Sequence, residues 1–389
     1  MRIVDIREIS VPLEGDVANA LVNFSEHTVS LLAIVTDVVR HGKPVCGVAF
    51  NSIGRFAQGG LLRERFIPRV LRCKPGELLS EDGRSFSAAA IHRAAMRNEK
   101  PGGHGDRAAA IGPLELAVWD LNAKLADEPA HAVIARAAGR PVRSAPVPVY
   151  AAGGYYYPED SCARLHDELA SYRDLGFVDF KIKIGGDSLH NDLERVRRAV
   201  DLAGGGHHVA VDANGRFDKQ SATRYAEALA PFSLRWFEEA GDPLDYALNA
   251  QVIEHYRQPV ATGENLFSVA DTLNLLRFGG MRVDTDVFQM DAGLSYGLTE
   301  YFGIIEALEA HGFGRSQVLP HGGHLINLHI VAGLGLGGCE VYPGVFQPFG
   351  GYPRACMVAE GLAFPTDAPG FGLEQKDELR PALALLLGP

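Results

Sequence analysis

The chain lacks the features that mark disulfide-stabilised or membrane-spanning proteins. Its 389 residues include five cysteines and no Cys-x-x-Cys pair: Cys46, Cys73, Cys162, Cys339 and Cys356. Scattered cysteines in odd number exclude a disulfide framework or a zinc ribbon and are typical of a reducing compartment. No apolar run approaches the roughly 20 residues that span a bilayer. We therefore expect a cytoplasmic protein without a membrane-spanning segment.

Positive charge is also scarce. The chain has 37 Lys and Arg against 48 Asp and Glu, which gives a formal net charge of −11. Nucleic acids and anionic membranes are bound by clustered Lys and Arg, so the sequence predicts neither partner. A small anionic substrate would have to be held by local cations or by a metal ion.

The order of strand-like and helical segments divides the chain into three parts. Residues 1–128 read as strands followed by a long amphipathic helix, which predicts the N-terminal part of an α+β capping domain. In residues 129–349, eight short apolar strands alternate with seven helices. This rhythm is typical of the α/β class and predicts a modified (β/α)7β TIM-like barrel. Residues 350–389 are predicted to return to the capping domain.

The segment FKIKIGG, residues 180–186, carries two lysines on one side of a predicted strand. Side chains alternate faces along a strand, so Lys181 and Lys183 point the same way. Two interpretations are open at this point. The lysines could cover a solvated edge strand, where they oppose aggregation. Alternatively, they could face a barrel interior, where one ammonium lowers the pKa of the other and frees an amine to act as a base.

Acidic residues follow three consecutive predicted barrel strands. Asp212, Glu238 and Glu264 occur at intervals of 26 residues, close to the length of one βα unit. The carboxyl ends of barrel strands gather at one face, so the three side chains should converge there. Converging carboxylates repel one another unless a cation lies between them. All-oxygen ligands favour Mg²⁺ over zinc. The spacing therefore predicts a magnesium site.

Further ionisable residues end the remaining strands, and the ordered set of motifs resembles a known family. Asp291 lies in FQMDAG, His321 in LPHGGH and Glu340 in GCEVYP. The segments K-I-K, D-A-N, F-E-E, G-E-N and H-G-G-H, in this order behind an α+β region, resemble the mandelate racemase subgroup of the enolase superfamily. The resemblance covers nearly the whole chain.

The resemblance implies a role for each of these residues. Mg²⁺ is expected on the three acids, and Lys183, with Lys181 beside it, is the expected base on one face of the substrate. His321, paired with Asp291, is the expected acid or base on the other face. The expected substrate-binding residues are Glu340, which would bind the substrate carboxylate, Asn214, Arg55 and Lys100.

The implied reaction begins with removal of a proton next to a carboxylate, which Mg²⁺ assists by stabilising the enediolate. Lys181 is expected to keep Lys183 partly neutral. If His321 then protonates a departing β-hydroxyl, the enzyme is a dehydratase of a hydroxy diacid or acid sugar, with D-tartrate as the expected substrate. Without a leaving group, the same residues would racemise or epimerise. The alternative from another class is a catalytically silent barrel that serves as a binding protein. Related enzymes are commonly homo-oligomers, so a homo-oligomer is expected.

One motif departs from the family pattern. The family usually has Glu-Glu-Pro after the fourth strand, whereas this chain has Glu238, Glu239 and Ala240. Glu239 is therefore an alternative ligand. Substrate choice is expected from the loops at residues 14–26, 50–56 and 98–107. Arg55 or Lys100 would hold a distal carboxylate, unless each is a plain surface charge.

Overall fold

The N-terminal region is built on a three-stranded antiparallel sheet. A computed structural model describes residues 1–143, 145–157 and 161–388. The strands are β1 (Ile3–Pro12), β2 (Thr28–Arg40) and β3 (Lys43–Phe50), with β2 in the centre. The apolar run from Val29 to Val35 in β2 is buried throughout, because elements cover the central strand on both sides.

Helices pack on this sheet and lead to the barrel. They are α1 (Gly59–Leu61), α2 (Ile67–Leu71), α3 (Ala88–Ala95) and α4 (Asp106–Ala126), and a π-helical turn (Leu62–Phe66) joins the first two. The long amphipathic helix predicted from the sequence is α4. It packs closely on β3, where a Cβ at Gly47 would lie 2.1 Å from the carbonyl oxygen of Ala117. A glycine is therefore required at this crossing.

The C-terminal segment contacts the N-terminal sheet through one buried carboxylate. Asp120 of α4 accepts hydrogen bonds from the backbone N–H groups of Val48 and Phe371, both at 2.7 Å. Its other close partner is the ammonium of Lys124 at 2.6 Å. The final helix, α13 (Arg380–Leu387), contacts β1 and β2. Asp120 thus joins strand, helix and tail at one point.

We expect Asp120→Ala to destabilise the protein strongly. The variant leaves two buried backbone donors without an acceptor, while Lys124 keeps the half-exposed Glu374 as its partner. Each buried donor left unsatisfied costs about 1–3 kcal/mol, so the two donors set the scale of the loss. The free energy of unfolding in urea measures this loss. As a control, Asp201→Ala alters an exposed carboxylate on a helix and should stay within about 0.5 kcal/mol of the wild type. Equal stability of the two variants would contradict the role of Asp120.

The second region is a barrel of parallel strands surrounded by helices. The sheet order is β10-β4-β5-β6-β7-β8-β9, and every neighbouring pair on this path is parallel. The strands are β4 (Val147–Ala152), β5 (Phe180–Lys183), β6 (Val209–Asp212), β7 (Trp236–Glu238), β8 (Val260–Thr262), β9 (Val287–Phe288) and β10 (Cys339–Val341). A short strand, β11 (Leu362–Ala363), pairs antiparallel with β4. The predicted α/β barrel with an α+β capping region is confirmed.

Helices cover the barrel, one of them before β4 and the others between successive barrel elements. They are α5 (Ala130–Ala137), α6 (Ser161–Asp174), α7 (Leu189–Ala203), α8 (Lys219–Leu229), α9 (Tyr246–Tyr256), α10 (Val269–Phe278), α11 (Leu298–Ala310) and α12 (Leu325–Leu334). The first helix after β4 is predicted over residues 157–175, of which 158–160 lie outside the described residues. Short 3-10 turns occupy Pro75–Leu78, Gly206–His208, Ala230–Phe232, Arg315–Gln317, Leu373–Gln375 and Asp377–Leu379.

The prediction of a regular seventh barrel strand in SQVLPHGG is wrong, because this segment forms a single bridge. Only Val318 forms a parallel bridge, to Phe288 of β9. The backbone N–H of Leu319 then donates to the carbonyl of Phe288 at 2.9 Å, and that of His321 donates to the next carbonyl along at 3.2 Å. Pro320 has no N–H to extend the ladder. The segment nevertheless lies beside β9 and brings His321 to the mouth of the barrel.

Within the described residues, no helix is both long enough and apolar enough to cross a membrane. The cytoplasmic location and the homo-oligomeric state stay predictions.

Candidate active site

A cavity of about 760 Å³ lies at the carboxyl ends of the barrel strands. The barrel lines it with Lys183, Asn214, Glu264, His321 and Tyr342 among others. Each of the three loops named from the sequence also contributes to its wall. Their lining residues are Asn19, Leu21, Val22, Phe24, Ile53, Gly54, Arg55, Gly103, His104 and Gly105. The N-terminal region therefore closes the barrel mouth from above.

The two lysines of β5 lie inside the barrel. This strand pairs with β4 on one side and β6 on the other, so the edge-strand interpretation is excluded. Both side chains are buried. The ammonium of Lys181 lies 2.6 Å from Glu238 and 2.7 Å from Glu340, while that of Lys183 lies 2.5 Å from Asp212. Only Lys183 reaches the cavity wall.

The charges around the lysines differ from the sequence-based expectation. Burial by itself lowers the pKa of Lys183, but the carboxylates of Asp212, Glu264 and Glu238 together outweigh burial and leave this pKa raised. The neighbouring Lys181 does lower the pKa of Lys183, as expected, yet its effect is the smaller one. Lys181 thus acts in the predicted direction, and the expectation that it keeps Lys183 partly neutral stays a prediction for acids whose charge a cation neutralises. The charges differ because carboxylates from adjacent strands reach both ammonium groups.

The three equally spaced acids converge. Residue pairing between parallel strands places Lys183 opposite Asp212 and Asp212 opposite Glu238. One carboxylate oxygen from each of Asp212, Glu238 and Glu264 lies within 4.8 Å of the others. Burial raises the pKa of Glu238, and the negative charge of Asp212 raises it further. Three mutually repelling oxygen donors at this separation fit a hard divalent cation.

Glu239, the alternative ligand, lies outside this group of three acids. Its backbone is in the left-handed region, with a φ of 41°. In the family pattern this position directly precedes a proline. The side-chain amide of Asn265 donates to both of its carboxylate oxygens, at 2.9 and 3.0 Å. Glu239 lines the cavity beside the acid cluster. The second glutamate of Glu-Glu-Ala is therefore directed toward Asn265.

His321 is contacted at both ring nitrogens. Its Nδ1 lies 3.4 Å from Asp291, and its Nε2 lies 3.1 Å from the hydroxyl of Tyr342. The Nε2 atom is also 3.9 Å from Glu264. Burial lowers the pKa of His321, but Glu264 and Asp291 outweigh burial and raise this pKa to about 9. The imidazolium form is therefore favoured at neutral pH.

Of the predicted substrate-binding residues of the barrel, Asn214 lies in the cavity wall and Glu340 does not. Asn214 lines the cavity, where its side-chain amide donates to Asp212 at 3.1 Å. Glu340 lies outside the cavity wall, because Lys181 covers it at 2.7 Å and the backbone of Gly322 donates to its other oxygen. In this geometry Glu340 does not face the cavity in which a ligand would bind.

The two candidate cations of the loops, Arg55 and Lys100, lie in different places relative to the cavity. Arg55 lines the cavity and donates to the side-chain oxygen of Asn265 at 2.9 Å. Its guanidinium lies 4.9 Å from the ring centroid of Phe267. Lys100 is exposed outside the cavity wall, and its backbone carbonyl accepts a hydrogen bond from Arg107. The structure therefore does not bring Lys100 to the site.

Sequence reasoning missed Asn265 and two tyrosines of the wall, Tyr155 and Tyr342. The signal for Tyr342 was present, since it stands two residues after Glu340 and therefore on the same side of the extended chain. Asn265 directly follows Glu264, but nothing in the sequence indicated its contact with Glu239. Tyr155 follows the end of β4, a position where barrels place functional residues.

The parallel barrel, with an acid cluster and a lysine pair at its mouth, defines a TIM-like α/β barrel protein with a capped site. The chain belongs to the enolase C-terminal domain-like family, which matches residues 164–379.

Curated relatives cover part of the chain. Arabinonate dehydratase of Saccharolobus solfataricus is 29% identical over 239 residues, which are 60% of this chain and 60% of that protein. The 3,6-anhydro-alpha-L-galactonate cycloisomerase of Streptomyces coelicolor is 31% identical over 231 residues, 59% of each chain. The chain thus spans about 60% of the length of these relatives.

Solved structures share the fold over almost the whole length. One is L-talarate dehydratase from Polaromonas sp. JS666, complexed with Mg and L-glucarate. It superposes with a TM-score of 0.74 at 23% identity and covers 95% of this chain and 94% of that chain. The likeness extends to the capping region as well as the barrel.

Proposed function

We propose that this protein is a Mg²⁺-dependent dehydratase of a hydroxy diacid or acid sugar, which converts D-tartrate to oxaloacetate and water. One observation carries the proposal. Lys183 and His321 line one cavity; Lys183 lies on β5, next to the first of the three strands that bear the acid cluster, and His321 ends the segment beside β9, the strand next to the third. An amine and an imidazole on either side of a cation site suit proton removal at one face and proton delivery at the other. The relatives that act on sugar acids support the substrate class.

Asp212, Glu238 and Glu264 would hold the cation, which when bound supplies stabilisation of negative charge on the substrate carboxylate. Lys183 Nζ accepts the proton from the carbon next to that carboxylate, and the C–H electron pair stays on the substrate. With the acids neutralised by a cation, burial and Lys181 are left to lower the pKa of Lys183. The lysine pair then favours the free amine.

The second half of the reaction falls to His321. The electron pair left by the first proton expels the β-hydroxyl, and Nε2 donates the proton with which that hydroxyl leaves as water. Asp291 holds Nδ1 on the far side of the ring, so that Nε2 is the nitrogen that faces the cavity. The enol product tautomerises to the keto acid.

Arg55 is proposed to bind the distal carboxylate of a diacid. It is a cation of the capping loops that lines the cavity, and Asn265 and Phe267 hold its guanidinium in place. An arginine presents a planar fork of donors that matches a carboxylate. Lys100 is not proposed for this role because it lies outside the wall.

We expect Arg55→Gln to discriminate between substrates. It should lower kcat/KM for the diacid by about 10–100-fold, since a hydrogen bond to a charged group is worth about 1.5–3 kcal/mol. A sugar acid with a single carboxylate should lose less than about threefold, because it has no distal charge to bind. Steady-state kinetics on both substrates measure the difference. Arg277→Gln alters an exposed arginine of α10 and serves as the control. Equal losses on both substrates would contradict the assignment.

The test of the proposed function is a screen of acid sugars and hydroxy diacids with MgCl₂. Dehydration is detected as keto acid, whereas racemisation or epimerisation changes the optical rotation without loss of mass. Formation of keto acid from D-tartrate supports both the dehydratase activity and the substrate. Formation of keto acid from a different acid supports the dehydratase activity and replaces D-tartrate as the substrate. Optical change alone would replace the dehydratase by an epimerase. No turnover and no Mg²⁺ binding by calorimetry would favour a catalytically silent barrel.

A further inference from the structure

A tyrosine contacts the nitrogen of His321 from which the proposed proton transfer starts. The hydroxyl of Tyr342 lies 3.1 Å from Nε2, while Asp291 lies 3.4 Å from Nδ1 of the same ring. Tyr342 is 2% exposed and forms part of the cavity wall. The imidazole of His321 is therefore contacted at both ring nitrogens, and one of the two contacting residues, Tyr342, lines the cavity.

Packing fixes the position of this hydroxyl. The ring of Tyr342 meets the ring of Phe346 edge to face, with the centroids 4.9 Å apart. On another side it lies against Gly323, where an added Cβ would come within 2.4 Å of the tyrosine ring. Gly323 also has a φ of 59°, so a side chain there would be strained as well as crowded. The tyrosine thus has little room to turn away from His321.

The direction of the hydrogen bond follows from the neighbours. A tyrosine hydroxyl carries one proton and can also accept. Burial raises the pKa of Tyr342 well above its usual value, and the carboxylate of Glu340 raises it further, so the hydroxyl stays neutral. The negative charge of Glu340 attracts the hydroxyl proton, which leaves a lone pair for Nε2–H. With Asp291 at Nδ1 and the tyrosine hydroxyl at Nε2, each ring nitrogen of His321 has a hydrogen-bond partner.

We propose that Tyr342 is a positioning residue that aims Nε2–H of His321 into the cavity and holds its proton until the departing hydroxyl of the substrate takes the place of the tyrosine. The inference rests on the proposed function for the reaction itself. It assigns Tyr342 to the proton-delivery half of the reaction and not to the Lys183 half. The two halves can therefore be separated experimentally.

The kinetic test compares the wild type, Tyr342→Phe and His321→Asn in D₂O with saturating MgCl₂ and D-tartrate. Proton NMR follows exchange of the substrate α-proton, which Lys183 performs, and keto-acid formation follows dehydration. General acid catalysis is worth about 10²–10⁴-fold, so a misaimed acid should lower kcat for dehydration by about 10–100-fold. KM should change by less than about threefold and exchange by less than about twofold. Equal loss of exchange and dehydration, or no loss of either, would overturn the proposal.

A second readout does not depend on turnover. In Mg²⁺-saturated protein with ¹⁵N-labelled histidine, the Nε2 resonance of His321 is identified by its loss in His321→Asn. Tyr342→Phe should shift this resonance. Tyr256→Phe is the matched control, because it removes a buried hydroxyl of α9 that has no partner among the described residues. An Nε2 resonance that is the same in Tyr342→Phe and the wild type refutes the contact. If the wild type neither exchanges nor dehydrates any acid, the proposed function fails, and the ¹⁵N comparison still decides whether Tyr342 holds Nε2.

Discussion

Lys183→Ala should lower both α-proton exchange and dehydration by about 10²–10⁴-fold, which is the contribution of a positioned base. Lys183 is the lysine of the pair that reaches the cavity, whereas Lys181 is enclosed by Glu238 and Glu340. Loss of the first proton transfer also prevents the second, so the two rates should fall together. This pattern separates Lys183→Ala from variants of His321 or Tyr342, in which exchange should persist.

The same variant should keep its affinity for Mg²⁺. Removal of the ammonium that lies 2.5 Å from Asp212 frees that carboxylate, so calorimetry should show unchanged or tighter binding. Lys219→Ala, an exposed lysine at the start of α8, is the control for loss of a lysine as such. A Lys183→Ala protein that still exchanges the α-proton at more than about one tenth of the wild-type rate would exclude the amine as the base.

The acid cluster could be predicted from the sequence because its geometry depends on the sheet. Parallel pairing sets Lys183, Asp212 and Glu238 at one level, and the 26-residue intervals reflect that regular repeat. The barrel class followed from the same rhythm of strands and helices. Where a segment forms a single bridge, as at Val318, the alternation of apolar and polar residues could not show that a strand had shrunk to that bridge.

The features that could not be predicted depend on which side chains meet from distant elements. The sequence shows the lysine two residues from Lys183 but not the distance to Asp212 on the next strand, whose carboxylate has the larger effect on the pKa of Lys183. The sequence offered Arg55 and Lys100 equally as cations for a distal carboxylate. Only the path of each loop in the structure shows that Arg55 lines the cavity and Lys100 does not. The contact between Tyr342 and His321 joins two strand ends through side-chain packing that no periodicity records.

Glu264→Gln should weaken Mg²⁺ binding most cleanly among the three acids. Asp212 and Glu238 are fully buried and paired with lysines, so their removal would disturb the barrel interior as well. Glu264 lies in the cavity wall with 14% of its side chain exposed. Since loss of a residue that only supports a ligand costs about 10–100-fold in affinity, loss of a direct ligand should cost at least as much. Calorimetric titration with MgCl₂ measures it, and dehydration should fall in parallel.

Comparison with Glu239→Gln decides which glutamates are ligands. Both residues face the same cavity, but Glu239 is held by Asn265 and lies outside the cluster of converging oxygens. Its variant should therefore retain Mg²⁺ affinity within about threefold, and Glu306→Gln on the exposed face of α11 should be unchanged. Thermal unfolding gives an independent measure, because an ion at 100 times its Kd stabilises the folded state by about 2.7 kcal/mol. MgCl₂ should raise the Tm of the wild type and of Glu239→Gln more than that of Glu264→Gln. The opposite order would mean that the Glu-Glu-Ala departure has exchanged the ligand, and the cation would then lie toward Asn265 and Arg55.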